Sequence, residues 1–128
     1  MEVIKALSTN HMQAGLVDLS VYQGAQLCSI LKHRQQSEKW VYLLANQLRF
    51  KRQGGHKIAL PRPDAETTFI WLEKLIVGGQ AGTIFVENLV LDEVRRKRLL
   101  QLCKQMDVIL VNLNRQNAEN NTLVYGPW

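Results

Sequence analysis

The sequence has no long apolar run, no glycine-rich phosphate loop and almost no cysteine, and each absence removes a class of protein. The longest uninterrupted apolar stretch runs from Trp40 to Ala45, far short of the ~18 residues that cross a bilayer, so no membrane span is expected. The opening Met1-Glu2-Val3-Ile4-Lys5 carries an early acid and no apolar core of the secretory type. No secretory signal is expected there, and a cytoplasmic location is. Cys28 and Cys103 each lie beside leucines in helix-like patterns, without metal-type partners nearby. Two reduced, buried thiols are expected, with no disulfide and no zinc site.

What is present is an ordinary globular composition. The chain has 128 residues, 46% apolar and 21% charged, enough for one domain with a sizeable core. A single domain over 1–128 is expected, with 1–13 and 115–122 irregular. Sixteen Lys and Arg against eleven Asp and Glu give a net charge of +5. That balance favours an acidic partner, either protein or nucleic acid, without choosing between them.

The hydrophobic period switches between 2 and 3.6 along the chain. Gly15 to Tyr22 alternates as a strand does. Gln23 to Gln36 places Leu27, Cys28, Ile30, Leu31 and His33 on or near one helical stripe. Trp40 to Ala45 reads as a strand covered on both faces. Asn46 to Gly55 is polar, basic and closed by Gly54-Gly55, which predicts a loop. Lys57 to Leu60 is a short strand stopped by Pro61 and Pro63. Asp64 is a good N-cap for a helix to about Val77, with Phe69, Leu72 and Ile76 inward and Gly78-Gly79 ending it. Gly82 to Glu87 is a strand. Leu91 to Met106 is a helix with Val94, Leu99, Leu102, Cys103 and Met106 as its apolar face. Val108 to Leu113 is a strand, and Thr122 to Tyr125 a last edge strand. Strands alternating with helices predict an α/β fold, a three-layer α/β/α sandwich on a mainly parallel sheet.

Ligands of such sheets bind at the carboxyl ends of the strands. The first strand-to-helix turn, Val21 to Gln26, has one glycine and no lysine, so it cannot cradle a phosphate. Glu87, at the end of its strand, resembles the acidic strand end that holds magnesium in nucleoside triphosphatases. Without a phosphate loop it is expected to be a solvated carboxylate. His11, His33 and His56 lack a nucleophile partner, and Ser20, Ser29 and Ser37 lack a nucleophile-elbow setting. No enzymatic activity, cofactor, metal or small-molecule substrate is expected.

Three features stand above this background. Lys39-Trp40-Val41-Tyr42 places a cation before two large aromatics on one face of a strand, either core packing or an interface anchor. Arg49-Phe50-Lys51-Arg52 sets three cations around one aromatic, either a solvated loop or a binder of acidic surfaces or single strands. Arg95-Arg96-Lys97-Arg98 lies on a helix, where Asp92 and Glu93, four residues earlier, would pair with Arg96 and Lys97.

The order of these segments resembles the SulA family, the cell-division inhibitors of the bacterial SOS response. Ala14-Gly15-Leu16-Val17 with Val21-Tyr22 is similar to the family's opening strand. Gln35-Gln36-Ser37 before Lys39-Trp40 is similar to its Q-Q-S-R-W. The helix from Glu66 to Ile76, then Gly79, the acidic start of the next helix and the strand Val108 to Arg115 follow in family order. The resemblance covers about residues 14–115. It implies a RecA-like fold that has lost the phosphate loop, and a protein that binds the tubulin-like division GTPase FtsZ, blocking its polymerisation and the septum. It also implies a possible homodimer, for which an edge near Thr122 to Tyr125 would pair across a two-fold axis. Lys39 stands where the family has a functional arginine, keeping the charge without the bidentate fork. Trp40 and Leu44 match aromatic and leucine positions of the same strand. The segment Ala45 to Pro61 is shorter than the family's, and Phe50 is the candidate for its tryptophan. The expected partner-binding residues are therefore Lys39, Trp40, Leu44, Arg49, Phe50, Lys51 and Arg52. Two alternatives stand beside this reading. One is an ImuA-like accessory of damage-induced mutagenesis, which the helix Arg95 to Leu102 resembles. The other is a basic nucleic-acid-binding module, although no sequence-specific nucleic-acid binding is expected.

Overall fold

A computed structural model describes residues 14–20, 22, 24–34, 38–50, 55–114 and 124–125. Lys51, Arg52 and the segments expected to be irregular, 1–13 and 115–122, lie outside them. The elements are β1 (Gly15–Ser20), α1 (Gly24–Arg34), β2 (Trp40–Leu44), β3 (Leu48–Arg49), β4 (Lys57–Leu60), α2 (Ala65–Val77), β5 (Ala81–Glu87), α3 (Glu93–Met106), β6 (Ile109–Asn114) and β7 (Val124–Tyr125).

Five strands form one sheet in the order β1-β6-β5-β2-β4, and every neighbouring pair is parallel. The side chains of a strand alternate between faces, so the two layers sort by residue parity. Tyr42, Leu44, Ile84, Val86 and Leu110 pack under α2 and α3 with Leu72, Ile76, Leu99 and Cys103. Leu43, Phe85, Ile109, Val111 and Leu113 face α1, meeting Leu27 and Ile30. The result is the expected α/β/α sandwich. All seven residues of the central β5 are buried, as strands covered on both faces require.

Asp64 caps α2: its Oδ1 accepts from Thr67 N at 2.7 Å. That backbone bond, helped by the Thr67 hydroxyl and the Arg62 charge, holds the Asp64 carboxyl below its ordinary value of 3.8. A depressed carboxyl favours folding in full above the unfolded value and loses that contribution as pH falls below it. Asp64→Asn, which keeps the cap without a titrating group, should therefore flatten the acid limb of a plot of Tm against pH. Parallel curves for the two proteins would remove the cap as a source of that limb. The far end of α2 turns through Gly79 at φ +81, a backbone region that a side chain disfavours.

Several local expectations change. Asp92 is the N-cap of α3, its Oδ1 accepting from Arg95 N at 2.7 Å, so the helix begins at Glu93. Val94 is not on the apolar face; it is 78% exposed, because Leu99, Leu102 and Cys103 set the inward direction on the far side of the helix. The expected loop 46–55 contains β3, whose Leu48 is buried in the α1-side core. The expected edge strand is β7, which pairs with β3 within its own chain. It is therefore not an edge of the five-stranded sheet, whose edges are β1 and β4. Pro61, just past β4, has no N–H to donate, and Lys57 charges its start, two devices that discourage edge pairing.

The thiols also divide. Both are free, but Cys28 is exposed and only Cys103 is buried. Burial pushes the Cys103 thiol up to about 12, leaving almost no reactive thiolate at mildly alkaline pH. A thiol-specific alkylating reagent should modify Cys28 in the native protein and Cys103 only after denaturation. Equal rates, read by peptide mass spectrometry, would contradict this division.

Candidate functional site

The parallel register brings the amino ends of β2, β4 and β5 level. Trp40 N donates to Gln80 O and Val41 N donates to His56 O, both at 2.8 Å. The pairing of β2 with β5 shifts between Trp40 and Val41, an irregularity of the kind that re-aims a side chain. The turns entering these strands frame an open depression of about 550 Å³, lined by Glu38, Lys39, Trp40, Gly79 and Gln80.

Trp40 has two roles here. Its ring is half-buried against the core under α2 and α3, and it meets the His56 ring edge-to-face, with centroids 4.9 Å apart and planes at 89°. Such an arrangement favours the aromatic pair and leaves part of the indole at the surface. Lys39 Nζ donates to Met106 O at 3.4 Å. A cation at the carboxyl end of α3 complements its macrodipole, so Lys39 ties the rim of the depression to that helix.

The chain leaves β2 at its carboxyl end, turns through Asn46 and Gln47 into β3, and returns so that Lys57 lies beside Val41. Phe50, on this return, is half-buried against the α1-side core, and Lys57 Nζ sits 5.5 Å from its ring centroid. Neighbouring residues of one short segment, His56 and Lys57, thus touch Trp40 and Phe50 respectively. The two aromatics lie on opposite faces of the sheet, Trp40 towards α2 and α3 and Phe50 towards α1. Arg49 is exposed, and its Nη1 donates to the carbonyls of Asn46 at 3.0 Å and Leu48 at 2.9 Å. Leu44 is 0% exposed, so a partner would reach it only by opening the sheet. The structure brings Lys39 and Trp40 together in one rim and places Leu44 in the core. From the sequence alone, Glu38, Gly79, Gln80 and His56 have no place in a site: Gly79 is legible only as a helix end in family order and His56 only as a histidine without a nucleophile partner.

The basic run on α3 is neutralised locally. Arg95 pairs with Glu66 and Asp92, Arg96 with Asp18, Lys97 with Glu93 and Arg98 with Glu73. The expected Glu93–Lys97 pair is present, but Arg96 reaches across to β1. Exposed pairs of this kind stabilise little, yet they leave less charge for a partner.

At the carboxyl ends of the strands, Ser20 Oγ accepts from Tyr22 N at 3.1 Å. Glu87 is not the solvated carboxylate expected. It is 5% exposed, and its Oε1 accepts from Asn46 N at 2.9 Å and Gln47 N at 3.4 Å. Among the described residues, no three His, Cys, Asp or Glu side chains are placed to hold a metal ion, and no helix is long and apolar enough to cross a membrane.

No protein-family model matches the sequence, and no curated protein matches it. The fold is similar to the crystal structure of SulA from Pseudomonas aeruginosa, with a TM-score of 0.52 and 15% identity. The likeness covers 78% of this chain and 95% of that one.

Proposed function

We propose that this protein is a SulA-like inhibitor of cell division that binds the tubulin-like GTPase FtsZ, blocks its polymerisation and so stops septum assembly after DNA damage. The observation that carries the reading is the fold likeness to SulA over 95% of that chain, joined to the order of segments in the sequence that resembles the same family. The protein acts by occupying a surface; it makes and breaks no bond. Since FtsZ polymerises in the cytoplasm, this reading places the protein there. Trp40 supplies the desolvated anchor at the rim of the depression, with Lys39 fixing that rim to α3. Arg49 and Phe50 offer a second contact on the other face of the sheet. The net charge of +5 speeds encounter with an acidic face of the partner.

The nucleic-acid alternative rests on net charge, to which the basic-aromatic segment Arg49 to Arg52 and the basic run of α3 contribute. The ion pairs of Arg95, Arg96, Lys97 and Arg98 weaken that support. Co-sedimentation with purified FtsZ and GTP tests the proposal. The amount of pelleted FtsZ should fall as this protein is added, to near zero at a modest molar excess. An unchanged pellet at large excess would end the reading.

A further inference from the structure

Glu87 is a buried acid that the proposed interface does not use. It ends β5 directly beside the carboxyl end of β2, with Leu44 in register with Val86. This crevice between parallel strand ends is where α/β sheets take ligands. There the successive backbone amides of Asn46 and Gln47 converge on one oxygen, Glu87 Oε1, at 2.9 and 3.4 Å. Successive N–H groups aimed at one point form an anion-binding nest.

The surroundings hold that nest in place. The Asn46 side chain donates to Arg62 O at 3.1 Å, and its Oδ1 accepts from Arg62 N at 3.1 Å. Arg62 Nη2 donates to Asn88 O at 3.1 Å, and Asn88 is the residue after Glu87, held at φ +48. The turn after β2, the end of β5 and the link from β4 to α2 are thus joined by polar contacts at one corner. Immediately beyond the nest, Leu48 enters the α1-side core.

We infer that the amides of Asn46 and Gln47 form an oxyanion-binding nest which the chain fills with its own carboxylate, Glu87, so that the turn from β2 to β3 is held closed without any bound ligand. A charge-assisted bond to a backbone amide is stronger than a neutral one, and removing the carboxylate takes the shared acceptor away from two part-buried donors. The inference does not depend on FtsZ, since it concerns a contact within the chain.

The test compares wild type with Glu87→Ala and Glu87→Gln in sodium formate, inorganic phosphate and sodium chloride at equal ionic strength. Melting is followed by circular dichroism, and the amide resonances of Asn46 and Gln47 by NMR. Glu87→Ala should lower Tm by about 5–15 °C. Formate should recover part of that loss and move the two amides saturably in Glu87→Ala, with no such change in wild type. Recovery by formate alone indicates a vacated site of carboxylate size, and recovery by phosphate as well a general oxyanion nest; either supports the inference. Equal effects of formate, phosphate and chloride on Glu87→Ala would overturn it. Should Glu87→Ala not fold, Glu87→Gln decides: a lowered Tm with displaced Asn46 and Gln47 amides supports the inference, and wild-type values for both overturn it.

Discussion

Phe85→Ala should lower the unfolding free energy by about 3–5 kcal/mol, the largest stability loss expected of any single truncation here. Phe85 is 0% exposed and sits in the middle of the central strand, in register with Leu43 on one side and Val111 on the other. Its ring belongs to the core beneath α1, with Leu27 and Ile30. Hydrogen-bonded neighbours on both sides keep the backbone from collapsing into the vacated space, so both the transfer and the cavity contributions are lost. Against a total of about 5–15 kcal/mol for an ordinary domain, that is a large fraction. Urea unfolding should show a lower midpoint with an unchanged slope. A loss below about 1 kcal/mol would mean that α1 does not close that face of the sheet.

Trp40→Ala should weaken binding to FtsZ by about 2–4 kcal/mol, or roughly 30- to 1,000-fold. This expectation rests on the proposed function. Trp40 alone among the candidate residues combines a ring anchored in the core, an aromatic partner in His56 and a place on the wall of a surface depression. A rim cation contributes mainly to association rate, so Lys39→Ala should cost less and act partly through the end of α3. Trp40→Phe separates packing from recognition, because a smaller ring still fills the core side. It should retain folding and lose part of the affinity. Surface plasmon resonance on variants shown to be folded by circular dichroism measures these differences. Wild-type affinity for Trp40→Ala, together with a large loss for Phe50→Ala, would move the interface to the α1 side of the sheet.

Much of the architecture follows from local chemistry alone. Pro61, Pro63 and Asp64 mark the end of a strand and the start of a helix whatever surrounds them, because fixed φ angles and a carboxylate accepting from Thr67 N act within a few residues. Lys57 to Leu60 and the helix to Val77 coincide with the observed elements for that reason. Trp40 to Ala45 announces a strand covered on both faces, Gly82 to Glu87 a further strand, and the alternation with helices a mainly parallel sheet. The family resemblance read from segment order agrees with the fold likeness to SulA.

Tertiary structure decided the rest, wherever the deciding contact lies far along the chain. β3 is two residues long and exists through its pairing with β7, which no period in Asn46 to Gly55 can reveal. Glu87 looks like a solvated strand end until strand order places beside it two amides about forty residues earlier in the chain. Arg96 turns from its own helix to Asp18, 78 residues away. Cys28 and Val94 sit beside inward positions in sequence, but helix rotation is set by packing against the sheet. Trp40 and His56 meet because β2 and β4 are neighbours in parallel register. Periods of 2 and 3.6 specify which residues share a face. Which faces and which strand ends meet is set by the order β1-β6-β5-β2-β4, which joins strands far apart in the chain and so leaves no local signal.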